Sequence, residues 1–259
     1  MTGATGRAGA LVLVPNTLDF GADNPSSLTA ALPLPVLQRA ATIAHWVVED
    51  AKSARAFLRR VAAVAPLQLP IQQLDIRELP RAPKGQAKVP PDAAAFRTLL
   101  APAIAGLDAA LLTEAGLPAV ADPGAALVRE AHALGLRVEP LPGPSALMLA
   151  LAASGLNGQQ FAFVGYLPVN DEERARRIRE LEALSHRTRQ TQIAIETPYR
   201  NAALLRALVE HLQPTTRLAV ACAVTWPEGW CRAQTVKAWR TSGPAIDKRL
   251  PAVFLWLAG

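Results

Sequence analysis

Residues 111–124, Leu-Leu-Thr-Glu-Ala-Gly-Leu-Pro-Ala-Val-Ala-Asp-Pro-Gly, and residues 141–146, Leu-Pro-Gly-Pro-Ser-Ala, decide how the chain is read. Each is a Gly/Pro-rich loop that follows a short apolar run and leads into a segment of helical periodicity. Residues 109–113 are apolar and of strand length, and Glu114, Gly116 and Pro118 break the run. Asp122-Pro123-Gly124 then opens a helix whose Leu127, Val128, Ala131 and Leu134 recur at three and four residues. Gly135 stops it, because glycine tolerates the left-handed conformation after a last turn. Residues 136–141 form the next strand, Pro142-Gly143-Pro144 turns the chain, Ser145 is placed to cap a helix over 146–153, and Ser154-Gly155 ends that helix.

A right-handed crossover makes these two strands parallel, so both loops lie at carboxyl ends of strands, where ligands of open α/β sheets sit. Gly116 and Gly143 would let backbone groups approach a ligand, and the N–H groups opening the helix at Ala146 favour an anion. Glycine and proline also simply make turns. Two such loops on one edge favour a ligand site over that reading.

Working outward, residues 11–14 form the first strand, and the loop Pro15-Asn16-Thr17-Leu18-Asp19-Phe20-Gly21 joins the same edge. The glycines of Thr2-Gly3-Ala4-Thr5-Gly6 precede this strand, whereas a dinucleotide-binding loop follows one, so they read as a flexible terminus. Residues 35–44 form a short helix and 46–48 a buried strand. Glu49-Asp50 then leads into a basic helix over 53–64, with Phe57, Leu58 and Val61 on its packed face. Glu49 and Asp50 are a candidate reactive carboxylate pair, but acids at a helix start also suit the helix dipole. A strand is expected over 67–74, a basic surface loop over 81–91, and a helix over 93–105 capped by Asp92.

Beyond Gly158 come strands at 160–165, 192–195, 217–224, 231–236 and 252–257, and helices at 172–184 and 199–212, with Leu204, Leu205, Leu208 and Leu212 inward. The later strands have little helix between them, so this sheet should be mixed. The fold class is α/β, with a mostly parallel N-terminal domain over 1–157 and a mixed-sheet C-terminal domain over 158–259.

The chain has 259 residues, 51% of them hydrophobic, and a formal charge of +6. That composition describes a globular chain long enough for two cores and suits an acidic partner such as RNA. No targeting segment is visible and the longest apolar run, 146–153, is too short to span a bilayer, which predicts a cytoplasmic protein. Two cysteines, Cys222 and Cys231, and four histidines lack the spacing of a metal site, so no metal is expected and the thiols read as buried and structural.

Residues 114–124, 137–146 and 154–156 resemble the tetrapyrrole methylase superfamily, and most closely its RsmI-type branch, the small-subunit ribosomal RNA 2′-O-methyltransferases. Phe163-Val164-Gly165-Tyr166-Leu167-Pro168, Glu49-Asp50 before the basic helix, Glu196-Thr197-Pro198-Tyr199-Arg200 and the strand from Pro251 extend the likeness over nearly the whole chain. The resemblance implies two α/β domains with S-adenosylmethionine (SAM) in a cleft between them, in a homodimer. Carried over by position, the cofactor would touch Pro15, Thr113, Glu114, Ala115, Ser145 and Ala146, and backbone near Ile195, Ala223 and Pro251; Gly116 joins this set.

The chain departs from the family at the acceptor side. Pro15-Asn16-Thr17-Leu18-Asp19 replaces Pro-Thr-Pro-Ile-Gly, Glu114 and Leu117 replace an Asp and a Thr, Leu74-Asp75-Ile76-Arg77-Glu78 replaces a segment with His and Asn, and no acid stands in Arg249-Leu250-Pro251. Methyl transfer to a ribose hydroxyl needs alignment and a proton acceptor. Glu49, Asp50 and Glu196 are candidates for the base and Arg200 for a phosphate contact, although each also suits a cap or salt bridge. Three readings stand: a ribosomal RNA ribose methyltransferase, a methylase of a tetrapyrrole or other small molecule, and a SAM-binding protein without transfer activity. A serine hydrolase is set aside, because Gly143-Pro144-Ser145-Ala146-Leu147 lacks the second glycine of a nucleophile elbow.

Overall fold

The structure is a computed structural model that describes residues 8–19, 27–80, 93–242 and 246–259. The early glycines Gly3 and Gly6, the loop end Phe20-Gly21, the basic loop with Arg81, Lys84 and Lys88, and the Asp92 cap lie outside the described residues. The chain divides into two compact units, residues 1–144 and 145–259.

In the first unit the order is β1 (Ala10–Leu13), α1 (Leu34–Ala41), β2 (His45–Val48), α2 (Ala51–Ala62), β3 (Asp75–Glu78), α3 (Ala93–Ile104), β4 (Ala109–Leu112), α4 (Ala125–Ala133) and β5 (Arg137–Pro140). The five strands lie in the order β3-β2-β4-β1-β5, and every pairing is parallel. Side chains alternate between the two faces of a strand, so each central strand must be apolar throughout to be covered on both. Val12, Trp46, Ala110 and Leu112 meet the residues of α1 and α2, including Leu37, Phe57, Leu58 and Val61. Leu11, Val47, Ala109 and Leu111 meet Phe96, Leu100, Leu127 and Ala131 of α3 and α4 on the other face.

The strand expected at 67–74 is not there. Leu67, Leu69 and Ile71 pack on the core as irregular chain and a short 3-10 turn, and β3 follows at Asp75–Glu78. An edge strand that pairs only with β2 keeps one side toward water and needs no continuous apolar run. The other expected elements fall within a few residues of their places, and a short helix at Val236–Ser242 was not foreseen.

The second unit holds α5 (Ala146–Ser154), β6 (Phe161–Gly165), α6 (Asp171–Thr188), β7 (Thr191–Glu196), α7 (Asn201–His211), β8 (Arg217–Cys222), β9 (Trp230–Thr235), α8 (Val236–Ser242) and β10 (Ala252–Leu257). Its sheet runs β6-β7-β10-β8-β9, with β6 and β7 parallel and the other pairings antiparallel, the mixed sheet expected. Ile178, Leu204, Leu208 and Trp239 cover one face through Leu218, Val220, Phe254 and Trp256. On the other face Leu147, Ala150 and Leu151 of α5 meet Ile193, Ala219, Val253 and Leu255. That packing moves the division of the chain from 157 to Pro144: α5 follows the first sheet in sequence but buries its side chains on the second. Cys222 is buried, while Cys231, expected buried, is exposed on the terminal strand β9.

Candidate functional site

The connections leaving β1 and β4 run to opposite ends of the first sheet, because β2 lies beyond β4 and β5 lies beyond β1. Two adjacent strands whose chains part in this way leave a crevice at their carboxyl ends. The loops after β1 and β4 meet there and are laced to one another. Asn16 Nδ2 donates to the carbonyls of Thr113 at 3.0 Å and Glu114 at 3.1 Å, while Asn16 Oδ1 accepts the Thr17 N–H at 2.9 Å. The Asn16 N–H donates to the Gly116 carbonyl at 2.8 Å and the Gly116 N–H to Thr17 at 3.3 Å. Asp19, with 9% of its side chain exposed, accepts from the Thr17 hydroxyl and pairs with Arg60 of α2 at 3.1 Å. Residues that depart from the family's first loop thus form an ordered loop of their own.

Gly116 has φ +65, and a Cβ there would stand 3.2 Å from Leu18 Cδ2 and 3.4 Å from the Pro144 carbonyl. At Gly143 a Cβ would stand 2.2 Å from Pro15 Cβ. The space that glycine leaves at 143 is therefore filled by the ring of Pro15, and the close approach expected of a ligand is made by the chain itself.

Acids gather beside these loops. Glu49, directly after β2, donates its N–H to Leu112 and accepts the Glu114 N–H on Oε2 at 3.2 Å. The Ser53 hydroxyl donates to the Glu114 carboxylate. Asp50 caps α2 by accepting the N–H groups of Lys52 and Ser53 at 3.0 and 2.9 Å, the cap reading of the acidic pair. Asp122 completes the group. Burial pushes its carboxyl up to about 6, the negative charges of Glu49 and Glu114 push the same way, and the Thr113 side chain opposes them. The Thr113 residue that opposes them is buried, 3% exposed. Pro15 and Ala115 flank this cluster in their loops, Pro15 buried and Ala115 half-buried.

In the second unit Ile195 lies opposite Val253 on β10, and the Ala223 N–H donates to the Pro251 carbonyl at 2.8 Å, so the ends of β7 and β8 and the start of β10 bring these three candidates to one sheet end. Ala223 has φ +49, and its carbonyl accepts from Trp226 at 2.9 Å. Ser145 precedes α5 as foreseen, but its side chain makes no capping bond; its carbonyl accepts the Leu149 N–H at 3.0 Å, and Ala146 packs half-buried against the α5 core. Glu196, 5% exposed in its side chain, accepts from Arg200 at 2.8 Å and from the Thr197 N–H at 2.7 Å. Arg200 also lies over the Tyr199 ring at 5.5 Å. The salt-bridge role foreseen for this pair is the one the structure displays.

Asn16, Ser53 and Asp122 were not singled out from the sequence. Asp122 read as the opening of a helix; Thr113 and Glu114 precede it on the same loop, and Glu49 comes from the turn after β2. Among the described residues no group of three His, Cys, Asp or Glu is arranged to hold a metal ion, and no helix is long and apolar enough to cross a membrane.

The sequence profile of the tetrapyrrole (corrin/porphyrin) methylases matches residues 20–237. The chain belongs to that family. Among tetrapyrrole methylase relatives, ribosomal RNA small subunit methyltransferase I of Mesorhizobium japonicum is 41% identical over 149 residues, 58% of this chain and 49% of the relative. The protein of the same name from Xylella fastidiosa is 46% identical over 105 residues, 40% of this chain and 37% of that one. The chain thus matches less than half the length of these curated relatives. Uroporphyrin III C-methyltransferase from Thermus thermophilus shares the fold, with a TM-score of 0.51 at 17% identity over 97% of both chains. The two-sheet α/β class read from the sequence is the tetrapyrrole methylase fold.

Proposed function

We propose that this tetrapyrrole methylase transfers a methyl group from SAM to a ribose 2′-hydroxyl of ribosomal RNA. The observation that carries the reading is the 41% identity to a relative whose name is a small-subunit ribosomal RNA methyltransferase. The meeting of the loops after β1 and β4, at the carboxyl edge of a parallel sheet where the strand order turns, supports the cofactor. The carboxyl groups of Glu49, Glu114 and Asp122 suit a ligand with positive charge, and SAM carries an ammonium and a sulfonium. Thr113, Glu114, Ala115 and Gly116 would hold it beside Pro15, and SAM would supply the methyl group. Ser145, Ala146, Ile195, Ala223 and Pro251 are candidates in the second unit on the strength of the resemblance. The formal charge of +6 suits a polyanion, whose phosphates are bound by charge without one fixed sequence.

SAM labelled in its methyl group, incubated with the protein and small ribosomal subunits, is expected to label RNA at one position that resists alkaline cleavage. Label in a tetrapyrrole and none in RNA would replace the reading with the small-molecule one. No label anywhere, with SAM bound, would make the protein a non-catalytic binder; the engagement of Glu196 with Arg200 and of Asp50 in a cap favours that outcome over the other.

A homodimer belongs to the same reading. The second unit exposes Phe161, Phe163, Tyr166, Val169 and Tyr199, large apolar side chains of the kind that mark an interface. Light scattering at micromolar concentration is expected to return twice the chain mass, and the mass of one chain would remove the claim.

A further inference from the structure

The second unit carries most of the chain's net charge. It holds 14 lysines and arginines against nine acids, while the first unit holds 13 against 12. On α6 two kinds of arginine stand apart. Arg174 pairs with Asp171 and Arg177 with Glu180, the one-turn contacts of a solvated helix face. Arg179 and Arg187, both exposed, have no ion pair among the described residues.

Both open onto a groove of about 610 Å³ between the second half of α6, the turn joining α7 to β8 and the residues after β10. Arg179, His186 and Arg187 line one wall, and Gln213, Thr215 and Thr216 line the other. The walls are tied together from beneath. Glu182, 7% exposed, accepts the Gln213 N–H at 2.8 Å and the Thr216 hydroxyl, and the Ser185 hydroxyl accepts the Ala258 N–H at 3.0 Å. One turn of α6 thus fixes both neighbouring segments, and the groove is formed before anything enters it. Glu182, the one acidic side chain among the described residues that line it, is engaged by the protein's own donors, whereas the arginines are not. Guanidinium groups without carboxylate partners, facing hydroxyl and amide groups across a preformed groove, describe a place for phosphate oxygens.

We propose that this groove binds the sugar-phosphate backbone of RNA, with Arg179 and Arg187 on phosphate oxygens and the Thr215 hydroxyl as a further donor. The proposal takes its partner from the RNA methyltransferase reading, but the groove is a separate place. β8 begins at Arg217 beside the groove and ends at Cys222, next to Ala223; β10 runs the other way, from Ala252 to Leu257. The cofactor candidates Ala223 and Pro251 therefore lie at the opposite end of the second sheet, about 20 Å away for strands of this length. Arg179 and Arg187 are about 12 Å apart along the helix axis, a track and not a point. Backbone held there is anchored away from the hydroxyl that reacts. Such contacts carry affinity without sequence information, and because they touch no reacting atom they should act on KM for RNA and leave kcat unchanged.

Binding of a labelled single-stranded RNA of mixed sequence to the full chain, followed by fluorescence anisotropy over a range of salt, tests the groove. Arg179→Gln with Arg187→Gln is expected to weaken binding roughly tenfold and to reduce the salt slope by about 1.4, the counterion release of two phosphate contacts on a single strand. Arg179→Lys with Arg187→Lys keeps the charge and should recover most of the loss. Arg206→Gln with Arg232→Gln removes the same charge from α7 and β9, outside the groove, and should leave affinity and slope as in the wild type. Urea unfolding midpoints equal to that of the wild type show that the variants are folded. Equal weakening in both glutamine pairs would mean that binding follows net charge alone, and an unchanged slope in the Arg179 and Arg187 pair would mean that no phosphate is met there; either overturns the groove.

Methyl transfer to small ribosomal subunits keeps this proposal apart from the reading it rests on. The expected result is a KM for subunits raised roughly tenfold in the Arg179 and Arg187 glutamine pair, with kcat unchanged. Transfer with an unchanged KM overturns the groove and leaves the methyltransferase reading. RNA binding that depends on the two arginines, with no transfer to RNA, upholds the groove and overturns that reading. A wild type that neither binds nor labels RNA overturns both.

Discussion

Gly143→Val is expected to destabilise the first unit by about 3 kcal/mol, the upper part of the usual range for overpacking a tight contact. A Cβ at 143 would stand 2.2 Å from Pro15 Cβ and 2.6 Å from Pro15 Cγ, distances at which one side must move. Neither side moves freely. Pro15 is a closed ring in a loop tied to β4 by Asn16, and Leu141, two residues before the glycine, donates its N–H to Leu13 at 3.0 Å. Urea unfolding measures the loss, and a midpoint equal to that of the wild type would show that the loop yields without cost. Gly143→Ala combined with Pro15→Gly separates this cause from any other. The pair should recover most of what Gly143→Ala loses alone, because the clash needs both residues. Loss of SAM binding in a position-143 variant therefore reports on the loop before it reports on contact with a ligand.

Asn16→Ala should cost a comparable amount, about 3 kcal/mol. The substitution strips one side chain of three bonds, to the carbonyls of Thr113 and Glu114 and from the N–H of Thr17. Each buried group left without a partner costs about 1–3 kcal/mol, less where water can reach it, and the Glu114 carbonyl is only partly buried. Asn16→Asp keeps the acceptor for Thr17 but turns an oxygen toward two carbonyls in place of the amide donor, so it should be no better than alanine. Hydrogen exchange adds a local readout. The N–H of Gly116, which donates to Thr17, should lose protection more than the strand amides do, since the lacing is what holds that loop closed. An Asn16→Ala chain with unchanged unfolding and unchanged exchange would mean that the loops are positioned by their strands alone.

Much of the molecule was legible in the order of residues because its signals are local. β4 and β10 sit in the middle of their sheets, are apolar on both faces and appear in the sequence as uninterrupted runs. The spacing of Phe57, Leu58 and Val61, or of Leu204, Leu205 and Leu208, marks a helix face whatever that face meets. The left-handed residue after α4 is the expected glycine, Gly135 at φ +70. From such signals follow the α/β class, the parallel first sheet, the mixed second sheet and the loops on one edge. They extend no further than a few residues on either side.

Whatever depends on residues distant in the chain was settled by the tertiary structure. β3 could not be placed, because an edge strand that is half wet carries no apolar signature. α5 has an apolar sequence that would suit either sheet, and only packing assigns it to the second. A glycine in a loop advertises room without saying who takes it; at Gly143 the occupant is Pro15. The charge state of Asp122 depends in part on Glu49, brought to its loop by the turn after β2. The sequence by itself determined the elements, their class and the sheet edge that carries the loops, since these follow from local periodicity and turn chemistry. Which side chains meet at that edge, and what their meeting does to the charge there, came only with the fold, because burial and electrostatic fields are sums over neighbours that the chain order does not reveal.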